Sequence, residues 1–404
     1  MYRKMFAGFL CCVILCLINR DYLLIDKVKF CINEASAARI TDVTERVEDL
    51  GIPFSVKGYA RNIWDMQVYS NKIYLGHGNS QNYGPNAYEG PIPIYCYDIL
   101  RQTFVKEYVT SEDQLSNYKI IDGQLYLPGL DSRESWDYGN FYKLSDGSWE
   151  KYRNIPKAIH VYDMAIANGI LYTVTGSDDD NVLYRSGNYG KTWSPITLNT
   201  DPPYWPLSNR MYTLVNFKNK VYAIDVVFLA SGDSYRNKAV VIDGTKVSTI
   251  KIYRDKILPE TQIPYKYYRL DRATSAIGKM AYISQKYDYN NSWISEALYF
   301  SEDINRAEKA VFPESGAIPT DMAVRDKFLY VLAYIKISET VYTNIVYKTE
   351  NYKGWTEVLR FDFDTFARSF EEAYGSFYFG MGCYTERIPD SVGKILKVVP
   401  NNFK

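Results

Sequence analysis

One alternation of apolar and polar positions recurs along the chain: a short apolar stretch, a polar turn, and a second apolar stretch with a tyrosine near its middle. Small, polar or Gly residues occupy the turns, which suits tight turns between antiparallel strands. The central tyrosines are Tyr74, Tyr126, Tyr172, Tyr222, Tyr282, Tyr330 and Tyr378. Successive tyrosines are 52, 46, 50, 60, 48 and 48 residues apart, so the pattern predicts seven repeated units of nearly constant length.

Two further strand-like stretches follow in most units. In the third unit they are NVLYRS and WSPITL, and in the sixth they are TNIVYKT and WTEVLRF. Four strands in a repeat of about 50 residues are typical of a β-propeller, whereas most β-solenoids have repeats of about 20–30 residues. The sequence therefore predicts an all-β fold, a seven-bladed β-propeller of four-stranded blades.

The last unit lacks one strand. It offers strands near residues 368–374, 376–381 and 393–399, and then the sequence stops. At the other end, RITDVTERV (residues 39–47) precedes the first unit without a partner. Pairing these two ends removes two exposed sheet edges at once. We therefore expect residues 39–47 to pair with residues 393–399 as the outer strand of blade seven.

The N-terminus has the pattern of an export signal. Arg3 and Lys4 precede an almost unbroken apolar run over residues 5–18. The run is shorter than the roughly 20 residues of a membrane-spanning helix, and the small-residue cleavage pattern at residues 35–37 lies far downstream of it. A removed signal peptide and a retained anchor both stay open. We assign residues 1–19 to that segment, 20–37 to a linker and 38–404 to the propeller, which is expected outside the cytoplasm as a secreted, periplasmic or membrane-anchored protein.

Charge and cysteine content argue against a nucleic-acid-binding protein and against zinc-ribbon or redox proteins. Lys plus Arg equals Asp plus Glu at 47 each, and nucleic-acid binding needs a positive excess, so no nucleic-acid partner is expected. A membrane contact is expected only through the N-terminal segment, if it is uncleaved. Cys96 and Cys383 alone belong to the repeats, and no C-x-x-C pair indicates a zinc ribbon or a redox motif. The two histidines, His77 and His160, form no H-E-x-x-H motif.

The stretch YRSGNYGKTWSPI combines short polar residues, a glycine and a tryptophan at fixed intervals: Ser186, Asn188, Gly190, Thr192 and Trp193. Short acceptor side chains cap backbone N–H groups in such a turn, and Gly supplies a backbone geometry that other residues resist. The tryptophan is expected to bury its ring between blades. The stretch resembles the Asp-box (BNR repeat) of sialidase-superfamily propellers, with Asn188 where that family usually has Asp. The resemblance implies a structural turn in a propeller.

Three units begin alike on the opposite face, where innermost strands start: Trp64-Asp65-Met66, Tyr162-Asp163-Met164 and Thr320-Asp321-Met322. Asp65, Asp163 and Asp321 are therefore predicted to surround the mouth of the central channel. Carboxylates there can hold a cation such as Ca²⁺, the one candidate cofactor, or sugar hydroxyls. The alternative is that each aspartate only caps the start of its own strand.

Further candidates lie near the same rim. Arg61 and Arg210 precede innermost strands, and Arg272 lies near another. The long polar loop over residues 76–94 carries Asn79, Asn82 and Glu89, which suit a sugar ligand or, alternatively, structural turns. The run of Asp178, Asp179 and Asp180 is a weak metal candidate, and its alternative is a solvated acidic loop.

These features favour a binding module for a glycan or another cell-surface ligand at the channel mouth. One alternative is a glycan-active hydrolase or lyase that uses rim carboxylates and tyrosines, and another is a protein-interaction scaffold. Sialidase resemblance implies an arginine triad, a tyrosine nucleophile with a glutamate, an aspartate acid and six blades. The family's aromatic-Arg-Ile-Pro motif is absent near the first blade, and the Arg-Ile-Pro at residues 387–389 lies at the wrong end. Binding without catalysis is therefore expected; an enzyme, if this is one, would be a glycoside hydrolase.

Overall fold

Antiparallel sheets are arranged as seven blades around a central channel. The computed structural model describes residues 41–81, 90–177, 182–197, 210–228, 237–261, 267–288 and 293–400. Strand β1 (Glu48–Gly51) comes first in the chain and belongs to blade 7. The strands of blades 1 to 3 are β2 (Asp65–Tyr69), β3 (Lys72–Gly76), β4 (Pro93–Asp98), β5 (Thr103–Val109); β6 (Lys119–Ile121), β7 (Gln124–Pro128), β8 (Tyr138–Ser145), β9 (Ser148–Pro156); β10 (Ala158–Ala167), β11 (Ile170–Ser177), β12 (Leu183–Ser186) and β13 (Ser194–Pro195).

Blades 4 to 7 complete the ring. Their strands are β14 (Thr213–Phe217), β15 (Lys220–Ile224), β16 (Val227–Phe228), β17 (Lys238–Asp243), β18 (Lys246–Lys251); β19 (Tyr267–Ala276), β20 (Lys279–Tyr287), β21 (Trp293–Ser301), β22 (Ala307–Lys309); β23 (Ile318–Arg325), β24 (Phe328–Lys336), β25 (Tyr342–Thr349), β26 (Thr356–Phe363); β27 (Phe366–Ala373), β28 (Ser376–Gly382) and β29 (Ile395–Val398). The short strand β16 leaves blade 4 and pairs with β19 of blade 5, which gives that sheet a fifth strand.

The described residues include three short helical turns. Thr44–Arg46 and Gly58–Arg61 are 3-10 helices, and Arg254–Ile257 is an α-helical turn. No helix in this part of the chain is both long enough and apolar enough to cross a membrane. The N-terminal segment over residues 1–19 lies outside the described residues, so its assignment stays a prediction.

The hydrophobic core lies between neighbouring blades. Ile73 of blade 1 packs with Tyr378 of blade 7, and Phe141 of blade 2 packs with Leu171 of blade 3. The seven repeat tyrosines all lie in second strands, namely β3, β7, β11, β15, β20, β24 and β28. The predicted seven-bladed propeller is therefore confirmed, and each second strand contributes an aromatic ring to the packing of its blade.

An N-terminal strand closes the ring, as predicted, but it lies later in the chain than residues 39–47. Strand β1 pairs with β29, with Glu48 opposite Lys397 and Asp49 opposite Leu396. Two ion pairs reinforce the edge, Lys397–Glu48 at 3.1 Å and Lys394–Asp49 at 2.6 Å. Glu48 and Asp49 of this strand are charged and exposed, as expected at the outer edge of a blade.

The described residues just before β1 contact blade 6 instead. Asp42 forms a parallel bridge with Arg360 of β26, and the Val43 N–H donates to the Arg360 carbonyl at 2.8 Å. The Val43 side chain is 2% exposed and packs with Leu359 and Phe377. This part of the predicted closing strand therefore covers the boundary of blades 6 and 7.

The turn between β12 and β13 is held by side-chain oxygens. Ser186 Oγ accepts the backbone N–H groups of Asn188 at 3.3 Å and Gly190 at 2.8 Å. Asn188 Oδ1 accepts the N–H of Thr192 at 2.9 Å. Capping of the turn by short polar residues is therefore realised in full.

The glycine and the tryptophan of this turn pack against blade 2. Gly190 has a φ of +87°, and a Cβ atom there would lie 2.5 Å from Cζ of Phe141. The Trp193 ring is 9% exposed and meets Phe141 edge to face, with ring centroids 5.9 Å apart. The turn thus joins blade 3 to blade 2.

Candidate functional site at the channel mouth

A cavity of about 880 Å³ occupies the central channel. Its lining comes from the starts of innermost strands and from the connections between second and third strands. Because the strands are antiparallel, these segments lie on one face, and the β12–β13 turn lies on the other. Concave sites with a few polar groups among aromatic side chains are the usual places for ligands.

The three predicted aspartates line this cavity and are almost fully buried. Each accepts a hydrogen bond from the backbone of the next blade; the donors are the N–H groups of Tyr118 to Asp65 at 2.6 Å, Leu214 to Asp163 at 2.9 Å and Phe370 to Asp321 at 3.0 Å. Asp163 and Asp321 also accept the N–H of the following residue. The geometry therefore matches the capping alternative and adds a link between blades.

Equivalent side chains link most other blades. Asn117 Nδ2 donates to the Tyr162 carbonyl at 3.1 Å, and Thr213 Oγ1 donates to the Leu270 carbonyl at 2.6 Å. Ser369 Oγ donates to the carbonyl of Ile63 at 2.9 Å and so joins blade 7 to blade 1. Short polar side chains at one position of the repeat thus hold the innermost strands together around the ring.

Arg272 crosses the channel from blade 5. Its guanidinium forms ion pairs with Asp65 of blade 1 and, through Nε at 3.2 Å, with Asp321 of blade 6, and it donates to the Trp64 carbonyl. Arg272 has a φ of +53° and lies at a bulge in β19 between Asp271 and Thr274. Bulges commonly redirect a side chain, and this one accompanies an arginine that points into the channel.

The charges around Arg272 are strongly coupled. Burial raises the pKa of Asp321 to about 7, although Arg272 opposes the shift. Burial likewise raises the pKa of Asp65 above its usual value. Burial alone would lower the pKa of Arg272, but Asp321, Asp65 and Asp271 together raise it. The positive charge between Asp65 and Asp321 is therefore supplied by the protein itself.

Of the other predicted polar residues that the structure describes, some line the cavity and one does not. Asn79 lines the cavity, and its Oδ1 accepts the N–H of Gln81 at 3.2 Å. Arg210 lines it too, whereas Arg61 is not among its lining residues and packs against Gly393. The structure thus does not bring Arg61, Arg210 and Arg272 together as one free clamp.

Several predicted residues lie outside the described part of the chain. They are Asn82, Glu89, Asp178, Asp179 and Asp180. Among the residues that are described, no cluster of three or more His, Cys, Asp or Glu side chains could hold a metal ion. Asp163, one of the three residues that the sequence suggested for calcium, already forms an ion pair with Lys119 at 2.9 Å.

Aromatic side chains from three blades form one side of the cavity. We call Tyr162, Tyr212, Tyr287 and Trp293 the aromatic wall. Ring centroids are 4.6 Å apart for Tyr162 and Tyr212, 6.2 Å for Tyr212 and Trp293, and 5.3 Å for Trp293 and Tyr287. The rings are partly exposed, so this wall offers apolar faces with hydroxyl groups to the channel.

Polar groups adjoin the aromatic wall. The guanidinium carbon of Arg269 lies 4.6 Å from the Trp293 ring centroid, and its Nε donates to Gln285 at 2.7 Å. Gln285 Nε2 in turn donates to Asp271 at 2.8 Å. Burial lowers the pKa of His160 to about 3, which leaves a neutral imidazole beside Tyr162.

The aromatic wall, Arg269 and Gln285 were not among the site residues predicted from the sequence. One signal was present: Trp64, Tyr162 and Tyr212 each precede the channel-facing polar residue of their unit. Tyr287 ends β20 and Trp293 begins β21, and the connections between second and third strands differ in length from blade to blade, so the repeat gives no register there. Their convergence on Tyr212 depends on how blades 3, 4 and 5 are placed around the channel.

Comparisons with known proteins concern the fold. No protein-family model matches the chain, and no curated protein sequence matches it either. The Pan2 WD40 domain of Neurospora crassa is 9% identical with a TM-score of 0.51, over 89% of this chain and 97% of that one. The β-propeller domain of the Trilobed protease from Pyrococcus furiosus is 7% identical, with a TM-score of 0.47 over 80% of this chain and 92% of that one.

A sialidase is also among the similar structures. Trypanosoma rangeli sialidase, in complex with the inhibitor DANA, is 16% identical with a TM-score of 0.33, over 58% of this chain and 45% of that one. At such identities a likeness concerns the propeller fold alone.

Proposed function

We propose that the chain is a binding protein whose channel mouth takes a glycan. The aromatic wall carries this proposal, because three blades place rings side by side in a cavity of about 880 Å³. A sugar ring presents C–H groups on its faces and hydroxyls at its edge. The ring faces can pack on Tyr212 and Trp293, while Gln285 and Asp271 can bond hydroxyls.

Binding fits the state of the channel carboxylates better than catalysis does. Asp65 and Asp321 are held by Arg272 and by backbone N–H groups, and Asp163 is held by Lys119. These carboxylates already bond to residues of neighbouring blades, so the aromatic wall is the part of the cavity surface that can contact a ligand. The N-terminal apolar run supports placing this surface outside the cytoplasm, where glycans are abundant.

A glycan array probed with the full chain tests the proposal. We expect binding that Trp293→Ala and Tyr212→Ala each weaken by about tenfold or more, because buried aromatic anchors dominate such contacts. Tyr374→Ala is the matched control, since Tyr374 is 68% exposed in the turn between β27 and β28 on the opposite face. Equal binding by wild type and the Trp293 and Tyr212 variants would exclude the aromatic wall as the glycan site, and no glycan bound at all would exclude the function.

One observation favours hydrolysis as a second candidate. Burial raises the pKa values of Asp321 and Glu371 to about 7, and both residues line the cavity. Carboxyl groups with such values can donate protons near neutral pH. Bound glycans should therefore be analysed for cleavage products. Cleavage that Asp321→Asn or Glu371→Gln abolishes would favour the enzyme, and intact glycans would favour the binding protein.

We also propose that the β12–β13 turn is an Asp-box. Its support is the set of bonds from Ser186 Oγ and Asn188 Oδ1 to the turn's own backbone. Asn188→Asp should keep the melting temperature, whereas Asn188→Ala should lower it. Equal melting temperatures for all three proteins would argue against a capping role for this position.

A further inference from the structure

Arg269 is a restrained guanidinium inside the cavity. It stacks on Trp293 and donates from Nε to Gln285, which fixes its plane. Among the described residues, its other two nitrogens have no hydrogen-bond acceptor, and no carboxylate lies within ion-pair distance. Burial lowers the pKa of Arg269, the direction expected for a cation without close compensation.

Arg210 lines the same cavity, and its stem lies beside Gly176 together with the Tyr162 ring. Burial would lower the pKa of Arg210, but the nearby hydroxyls of Tyr162 and Tyr212 together raise it, and the residue forms an isolated bridge with Gly176. Within the part of the chain that the structure describes, Arg210 has no ion pair. Both arginines therefore line the cavity that the two tyrosines line.

These aspartates of the channel contact partners other than Arg210 and Arg269. Asp65 and Asp321 contact Arg272, and Asp163 contacts Lys119. Asp271 accepts from Gln285 and lies 4.0 Å from Arg272, and Asp131 lies 3.4 Å from His160. Arg210 and Arg269 are therefore cations of the cavity without a matching carboxylate in the described residues.

We propose that Arg210 and Arg269 form an anion subsite, so that the glycan on the aromatic wall is an acidic one. This inference rests on the proposed glycan-binding function. A guanidinium fork matches the paired oxygens of a carboxylate or a sulfate and is desolvated at low cost. The acidic group lies between the two arginines, and the ring that carries it packs on Tyr212 and Trp293.

Calorimetric titration of the full chain with matched sugars tests the inference. The probes are a galacturonic acid tetrasaccharide, its carboxyl-reduced neutral counterpart and a sulfated galactose tetrasaccharide. We expect an acidic probe to bind about tenfold or more tightly than the neutral one, because hydrogen bonds to charged groups are the stronger ones. Tighter binding of the galacturonic acid probe would identify a carboxylate as the group that the two arginines hold, and tighter binding of the sulfated probe would identify a sulfate.

Variants separate charge from packing. Arg269→Gln and Arg210→Gln should each remove most of the acidic preference, measured as the ratio of the affinities for the acidic and the neutral sugar, and Arg269→Lys should restore that ratio in part. Arg101→Gln is the control, because the Arg101 side chain is 78% exposed outside the cavity. Melting curves verify that each variant is folded.

The outcomes distinguish this inference from the function on which it rests. Equal affinity for acidic and neutral sugars, or an acidic preference that survives both glutamine variants, overturns the anion subsite but leaves glycan binding intact. Failure of all three sugars to bind overturns the subsite and counts against the glycan function as well.

Discussion

Replacing Arg272 by methionine should destabilise the protein more strongly at alkaline than at acidic pH. The side chain is 16% exposed, and the carboxylates of Asp65 and Asp321 beside it are 7% and 6% exposed. Methionine keeps an unbranched apolar stem of similar reach but removes the charge. Both carboxylates then lose their cation while they remain buried between blades.

The size of the effect follows from the burial of these groups. Removing one partner of a buried ion pair costs about 3–5 kcal/mol, and we expect a loss in that range at pH 8. At pH 5 the loss should be smaller by about 1.4 kcal/mol. In the wild type Asp321 has a pKa of about 7 and is ionised at pH 8, one pH unit above that value, and one unit corresponds to about 1.4 kcal/mol.

The sign of the pH dependence is set by the raised pKa. Asp321 titrates at about 7 in the folded protein against 3.8 for the unperturbed group, so between these values the folded state binds more protons than the unfolded state. The free energy of unfolding of the wild type therefore falls as pH rises from about 4 to 7 on account of this group. Without Arg272 the pKa of Asp321 rises further, and the decline continues to higher pH.

Urea denaturation of the full chain at pH 5 and pH 8 measures both quantities. Arg101→Met is the control for loss of one positive charge at an exposed position. The double variant Arg272→Met, Asp321→Asn should recover part of the stability at pH 8 and show a weaker pH dependence. An Arg272→Met protein as stable as the wild type at both pH values, or equally destabilised at both, would refute this account of the channel.

Three further predictions concern the β12–β13 turn and the channel aspartates. Trp193→Ala should lower the free energy of unfolding by about 3–5 kcal/mol in denaturant titrations and leave the glycan affinity of the folded protein unchanged, so lost binding at an unchanged melting temperature would contradict its placement. Gly190→Ala should cost about 1–3 kcal/mol, because of the φ of +87° and the contact with Phe141, and an equally stable variant would contradict that reasoning. Calcium and chelator should leave the melting temperature unchanged, because Asp163 is already bonded to Lys119; a calcium-induced rise that Asp163→Asn weakens would instead support the metal site expected from sequence.

The number of blades was predictable because packing repeats in sequence. Each second strand needs a large ring at one position, so a single tyrosine per unit counts the blades. The closing strand was placed only approximately, since an outer edge buries little and its register depends on charges. Glu48 and Asp49 meet Lys397 and Lys394, and such pairs leave no apolar period in the sequence.

The candidate site was predictable only in part. Asp65, Asp163 and Asp321 lie at the channel, as their shared position in the repeat indicated. What they contact depends on Arg272, whose direction follows from a bulge that the strand pattern does not reveal. The site of the proposed ligand depends further on rings from three blades, and no local pattern specifies which blades face one another.

The position of the first described residues has a mechanical consequence. A force applied to the chain ahead of residue 41 reaches Asp42 and Val43 on blade 6 before it reaches β1 on blade 7. Tension must therefore peel the buried Val43 from the boundary of two blades before it can load the ladder that closes the ring. The contacts of Asp42 and Val43 therefore protect the circular closure from pulling at that end of the chain.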